Sequence, residues 1–199
     1  MNHPMYTYRA EIKPYQLMMA KEVGLKTPNT LVTNNFKFLN NSLDKDYAVK
    51  TLDTVIIHKK KSQGFIYTNI SKGKELKNKD ISTAPVILQK ALLPKVDIRV
   101  TVVENFIHSV AINSDRDIRE DWRIYKSKLQ YKSLRLPAPI LTKCKRLVKK
   151  LNLKFGAIDL IKYNNSYYFI EINPTGEWSW LLNTSGCDLD YRIARCLSR

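Results

Sequence analysis

Apolar and polar positions alternate along this chain in two different rhythms. The stretch "APILTKCKRLVKKLN" places Ile140, Leu141, Cys144, Leu147, Val148 and Leu151 on one face at helical spacing, with lysines on the other. "EIKPYQLMMAKEVGLKTPNTLVT" predicts a helix with Leu17, Met18, Met19, Ala20 and Val23 inward. Gly24 should cap it and Pro28 end it, and a strand follows. The two-residue rhythm of strands dominates elsewhere. "YAVKTLDTVIIHKKKSQGFIYTNIS" reads as three short strands, the last two a hairpin around Lys59 to Gly64. "VILQKALL", bracketed by Pro85 and Pro94, reads as a strand running into a connector. "VDIRVTVVENFIHSVAIN" reads as a hairpin turning at Glu104-Asn105, with Ile98, Val100 and Val102 on one face. "NNFKFLNNS" fits a short helix capped by Asn34 or Asn35, "KGKELKNKDIS" an exposed polar segment, and Asp188 to Leu197 a final helix. The expected class is α+β in two lobes, dividing near Gln89 to Leu93, and ligands commonly lodge between such lobes.

One hairpin breaks its own pattern. "FGAIDLIKYNNSYYFIEINPTGEW" sets Asp159 into one apolar run and Glu171 and Asn173 into the next. A carboxylate in a half-buried strand costs several kcal/mol unless it is paired or binds a cation. Strict alternation places Tyr167, Phe169, Glu171 and Asn173 on one face, and Tyr168, Ile170 and Ile172 on the other. A two-residue turn at Asn164-Asn165 would pair Asp159 with Ile170 and put the two acids on opposite faces. A three-residue turn, Asn164-Asn165-Ser166, would pair Asp159 with Glu171 and set Asn173 opposite Ala157. In the second case three hard oxygen donors converge, of the kind Mg²⁺ takes while keeping waters and substrate phosphates. A metal site therefore requires an odd-residue turn or an equivalent bulge. The competing reading pairs each acid with a lysine on a wet face.

Composition narrows the partners. The 199 residues are 44% apolar, enough for a packed core, and no run approaches the ~20 apolar residues of a membrane span. Cys144, Cys187 and Cys196 have neither disulfide-framework nor zinc spacing, so unpaired thiols in a reducing cytoplasm are expected. The net charge of +16 favours an anionic partner. No zinc-finger or aromatic RNP-type motif accompanies it, so nucleic acid is not the partner indicated. His3, His58 and His108 are scattered, and no Ser/His/Asp or Cys/His constellation is present.

At "IDLI…FIEINP" the chain resembles the ATP-grasp superfamily of carboxylate–amine and carboxylate–alcohol ligases, whose metal signature is an Asp on one strand and Glu-x-Asn on the next. Further landmarks fall in the family's order. The resemblance implies an ATP-grasp fold: two α+β lobes, 1–88 and 89–199, with nucleotide bound between antiparallel sheets. It implies Asp159, Glu171 and Asn173 as Mg²⁺ ligands, and Lys13 and Lys50 on the ATP phosphates. It implies Gln89, Lys90, Ala91 and Leu92 as the adenine hinge, Asp97 on the ribose and Arg99 on the γ-phosphate or acyl phosphate. "DIRVTVV", "DWRIY" and "EINPTGEWSWL" are similar more narrowly to the graspetide (microviridin-type) synthetases, which tie side chains of a ribosomal precursor peptide into macrocycles. That likeness, over roughly Asn2 to Leu197, implies an acidic precursor peptide of leader plus core as partner. It also implies Arg123 as a second group steadying the acyl phosphate or peptide carboxylate, and leaves a homodimer open. Trp178 and Trp180 are expected to anchor the turn after the metal strand.

Two departures stand out. Family members carry an N-terminal domain before the segment that opens this chain. The loop after Lys50 reads "TLDTVII" where glycines are usual, and Lys90 stands where an acid is common. The alternatives are a glutathione synthetase-like or glutamate ligase, or a non-catalytic module binding ATP, peptide or nucleic acid.

Overall fold

The computed structural model describes residues 1–36, 39, 43–52, 56–59, 62–65, 68–77, 79, 84–114, 129–184 and 187–198. The chain forms two compact units. The first comprises Met1–Thr27, Pro94–Arg116 and Ser127–Arg199; the second comprises Pro28–Leu93 and Asp117–Lys126. Among the described residues no helix is long and apolar enough to cross a membrane.

The first unit is built on five antiparallel strands. They are β7 (Val96–Val103), β8 (Phe106–Ser114), β9 (Leu129–Ser133), β10 (Phe155–Tyr163) and β11 (Ser166–Asn173), in the order β11-β10-β7-β8-β9. The β7–β8 hairpin turns where expected, with Glu104 at φ 51. Ile98, Val100 and Val102 face the larger core together with Ile158, Leu160, Phe169 and Ile172. Helix α4 (Ala138–Lys150) covers that face with Cys144, Leu147 and Val148. Burial pushes the Cys144 thiol up to about 12, so it is an inert apolar filler. Helix α2 (Lys13–Glu22) packs against β11 and ends at Gly24, whose φ of +82 suits a C-terminal cap. Leu17, Met19, Ala20 and Val23 are buried as expected, but Met18 is half exposed, rotated away from the core.

An additional helix precedes it: α1 (Pro4–Glu11), which lacks any apolar periodicity to announce it. Its start is fixed by Pro4 at the first turn and by His3, whose Nδ1 accepts from the Met5 N–H at 3.3 Å. Asn2 fastens the segment down. Its amide donates to the carbonyls of Phe155 and Pro174, and its oxygen accepts from the N–H groups of Lys154 and Phe155, all at 2.9–3.0 Å.

Gln16 closes the edge of the sheet. Its side-chain oxygen accepts from Ile172 N–H at 3.1 Å, and its nitrogen donates to the carbonyls of Ile172 (2.8 Å) and Ala10 (2.6 Å). A buried amide thus completes the ladder of β11. Gln16→Leu should take these partners from three backbone groups, the Ile172 N–H and the carbonyls of Ile172 and Ala10, and lower stability by about 3 kcal/mol. A fall in urea midpoint at unchanged slope is the result to look for.

The hairpin β10–β11 turns on two residues, Asn164 (φ 45) and Asn165 (φ 54), flanked by the pair Tyr163–Ser166. Two left-handed residues in succession are what a type I′ turn requires, and Asn tolerates them. The three-residue turn is therefore not formed. The register nonetheless shifts between Asp159 and Leu160: Leu160 pairs with Phe169, but Asp159 pairs with Glu171. Ile170 is the extra residue of a β-bulge. The bulge also corrects the strict alternation, since Phe169 turns into the core while Glu171 lies on the opposite face.

That opposite face is divided. At one end Val103, Val110, Phe155 and Ala157 pack beneath the short 3-10 turn Ser179–Leu181 and helix α5 (Leu189–Leu197). At the other end the polar residues gather.

The second unit carries a four-stranded antiparallel sheet. Its strands are β1 (Thr30–Thr33), β2 (Asp46–Thr51), β5 (Asn69–Lys72) and β6 (Val86–Lys90), in the order β1-β6-β2-β5. Phe36, Leu39, Leu76 and Leu88 form its core. The segment expected to be polar and exposed instead starts with a one-turn helix, α3 (Gly73–Leu76). Its Leu76 anchors it there, only 2% exposed. A hairpin of β3 (Ile56–Lys59) and β4 (Ser62–Phe65) forms where the sequence predicts one. "NNFKFLNNS" falls largely outside the described residues.

Candidate active site

Three strands of the first unit set their polar residues in rows. Register places Arg99, Asp159 and Glu171 side by side across β7, β10 and β11. The adjoining row holds Thr101, Ala157 and Asn173, and the row on the other side starts with Asp97 opposite Ile161. Residues drawn from Asp97 to Asn173 thus share one polar half-face. The metal reading demanded this opposition of Asp159 and Glu171, and the bulge at Ile170 provides it.

Arg99 and Asp159 form a buried ion pair, Nε to Oδ1 at 3.0 Å, with side chains 5% and 12% exposed. Trp180 stands over the guanidinium, its ring centre 5.9 Å from the central carbon, and tilts against Tyr131 at 4.7 Å. Trp178 and Trp180 also pack on the apolar end of the face, the anchoring role expected of them. Asp97 is held by Lys95, whose ammonium reaches both carboxylate oxygens at 2.7 and 2.9 Å. Lys95 was legible in principle, lying two residues before Asp97 and hence on the same side of an extended chain.

The turn after β11 completes the site. Asn173 Oδ1 accepts from the backbone N–H and the hydroxyl of Thr175, at 2.9 and 3.1 Å. These bonds fix the direction of the amide, and a cation at its oxygen would share it with them. Gly176 lies so close to the sheet that an added Cβ would sit 2.6 Å from the Ala157 Cβ and 3.3 Å from Arg99 Nη1. Asp159, Glu171 and Asn173 together offer two carboxylates and one amide oxygen, a hard donor set that fits Mg²⁺ completed by water and phosphate oxygens.

The remaining candidates divide between the units. Lys13 opens α2, the helix packed against the strand of Glu171. In the second unit Lys50 lies on β2 opposite Ile87, and Ala48 opposite Gln89, so Lys50 and Gln89 share a face. Gln89 is buried and donates to the Thr30 hydroxyl at 3.0 Å. The N–H groups of Lys90 and Ala91 donate to the carbonyls of Asn29 and Asp46, both at 2.9 Å. Base reading by Lys90, Ala91 and Leu92 would therefore fall to other backbone groups of the hinge. Arg123 lies outside the described residues, as do residues 53–55 of the loop after Lys50.

His108 has a structural place. Thr184 donates its hydroxyl to the Leu181 carbonyl, so the 3.0 Å contact to His108 Nε2 makes that nitrogen the donor. Burial lowers the imidazole pKa, with Asp188 opposing the shift in part, which favours this neutral form.

No family model matches the chain, and no curated protein matches it by sequence. Solved structures do. A Chryseobacterium gregarium RiPP-associated ATP-grasp ligase, solved with ADP and a leader and core peptide, is 28% identical. The match covers 99% of this chain and 61% of that one, at a TM-score of 0.80. The macrocyclase MdnC of Microcystis aeruginosa MRC, solved with precursor peptide MdnA, is 26% identical over 99% of this chain and 62% of its own, at 0.81. The ATP-grasp ligase PsnB, solved with a minimal precursor, Mg and ADP, shares the fold at 22% identity. There the match covers 97% of this chain and 60% of PsnB, at 0.72. The chain thus spans about three fifths of the length of each. Its two larger antiparallel sheets and mixed helices are those of the ATP-grasp fold, and over nearly its whole length the chain resembles RiPP-associated ATP-grasp ligases and macrocyclases.

Proposed function

We infer that this chain is the catalytic part of an ATP-dependent peptide ligase that activates an Asp or Glu carboxylate for attack by a Ser/Thr hydroxyl or a Lys amine. The observation that carries this reading is the row Arg99–Asp159–Glu171 with Asn173 beside it, a cation and three oxygen donors on one half-face.

Phosphoryl transfer needs positioning and charge neutralisation more than covalent help from the protein. In the first unit Asp159, Glu171 and Asn173 would hold Mg²⁺, whose charge lowers the repulsion met by a nucleophile approaching ATP. Lys13 would act as a point charge on phosphate, Asp97 would take the ribose hydroxyls, and Arg99 would offer its planar fork to the transferring group. In the second unit Lys50 would meet phosphate, and the stretch Gln89–Leu92 would meet the base. The substrate carboxylate displaces ADP from the γ-phosphorus, giving an acyl phosphate. The hydroxyl or amine then adds to the acyl carbon, loses its proton and expels phosphate. Arg123 is a further candidate for steadying that intermediate. With a net charge of +16, an acidic peptide should bind more weakly as salt rises.

Titration calorimetry with Mg-ATP, followed by ADP release with an acidic peptide or with free amino acids, tests the reading. Binding of Mg-ATP and release stimulated only by the peptide is the expected result. Release with free amino acids would move the assignment to a small-substrate ligase. A folded chain that gives no heat with Mg-ATP would favour a non-catalytic peptide-binding module. The engaged N–H groups of Lys90 and Ala91 are the feature that speaks for that second reading.

A further inference from the structure

The guanidinium of Arg99 and any metal bound to Asp159 address the same carboxylate. Arg99 Nε lies 3.0 Å from Asp159 Oδ1, and neither side chain is more than 12% exposed. Glu171 is the next residue in the row, Trp180 stands over the guanidinium, and Gly176 lets the following turn close in beside Arg99 Nη1. In such a partly water-excluded place, charges a few ångströms apart interact several times more strongly than in water. A cation arriving at Asp159 and Glu171 therefore meets repulsion from Arg99, and it weakens the hold of Asp159 on Arg99.

We propose that Arg99 is the resident counter-cation of this site, and that a divalent metal releases it for an oxyanion. Metal binding and oxyanion binding are thereby positively coupled through Asp159. Before metal arrives, an oxyanion approaching Arg99 must compete with Asp159 and is repelled by Glu171. Once metal neutralises the two carboxylates, the guanidinium is held less strongly by Asp159 and binds the anion more tightly. The linkage is reciprocal, so the anion tightens the metal by the same factor. This deepens the ligase reading and rests on it. It makes Arg99 a group that engages a carboxylate or phosphoryl oxygen only in the metal-loaded protein, which disfavours unproductive anion capture.

The test needs no nucleotide. Free Mn²⁺ is followed by electron paramagnetic resonance during titration of the wild-type chain at pH 8, at ionic strength held constant with chloride. The titration is repeated with sulfate, standing for a phosphoryl group, and with acetate, standing for a carboxylate. At least one anion should tighten Mn²⁺ binding by about fivefold or more, and the stronger of the two identifies the oxyanion preferred. In Arg99→Gln, checked for folding by circular dichroism, Mn²⁺ should bind several-fold tighter without anion, and the anion effect should vanish. Equal Mn²⁺ affinity with and without both anions in the wild type overturns the coupling while leaving the metal site standing. An anion effect that persists in Arg99→Gln removes Arg99 from it. A wild-type chain that binds no Mn²⁺ overturns the metal site and the coupling together. Absence of linkage in the wild type overturns the coupling even if Arg99→Gln does not fold, and Arg99→Lys, which keeps the charge and should keep the anion effect, then replaces it as the variant that assigns the linkage to this position.

Discussion

Glu171→Gln is expected to lower Mg-dependent ADP release by on the order of 100-fold, equivalent to about 3 kcal/mol of lost charge stabilisation, while the protein stays folded. The substitution keeps size and an oxygen donor but removes one of the two anionic groups proposed to hold the metal. Glu171 is only partly buried, so the surrounding packing tolerates the change. Asp159→Asn should behave differently, although it removes the same charge. Asp159 is 8% exposed and paired with an equally buried Arg99, and breaking such a pair from one side costs about 3–5 kcal/mol of stability. Thermal melts and Mg-ATP titrations on both variants separate the two effects. Unchanged nucleotide affinity and turnover in a folded Glu171→Gln would remove this hairpin from the chemistry.

Gly176→Ala should weaken Mg-ATP binding several-fold and lower stability by about 1–3 kcal/mol. The new methyl would lie 2.6 Å from the Ala157 Cβ, which is fixed to a central strand and cannot swing aside. The turn must lift instead, and with it Asn173 and the packing around Arg99. Gly156→Ala is the matched control. There the nearest atom, at 2.8 Å, is the end of the Ile172 side chain, which can rotate, and the contact lies on the core face. It should cost stability while leaving nucleotide affinity within about twofold. Equal losses of affinity in both would mean that the turn has no special part in holding the site.

Much of this was written in the local pattern. Helix α4 follows its apolar spacing, and the β7–β8 hairpin follows its alternation and turns at Glu104. The two acids and the amide of the β10–β11 hairpin announce themselves because apolar strands seldom carry them without a use. What stayed hidden depends on partners remote in sequence. Gln16 reads as an ordinary polar position of an amphipathic helix, and its role exists only because the edge of β11 comes to it. The pairing of Arg99 with Asp159 follows from β7 lying beside β10, a neighbourhood that no spacing in the chain encodes. Helix α1 rests on capping and on the four hydrogen bonds of Asn2 rather than on periodicity. Leu76 is a single buried anchor in a lysine-rich segment, too little to register as a pattern.

The bulge at Ile170 lets one short strand obey two grammars. Up to Phe169 the sequence answers to the hydrophobic core; beyond the bulge Ile172 still packs in that core, while Glu171 and Asn173 set the candidate donors on the other face. A continuous alternation would bind these demands into one parity, so that seating Phe169 correctly would point Glu171 into the core. One unpaired residue uncouples them. The donor set can then drift or be exchanged without repacking the interior, and the interior can be retuned without turning the donors away.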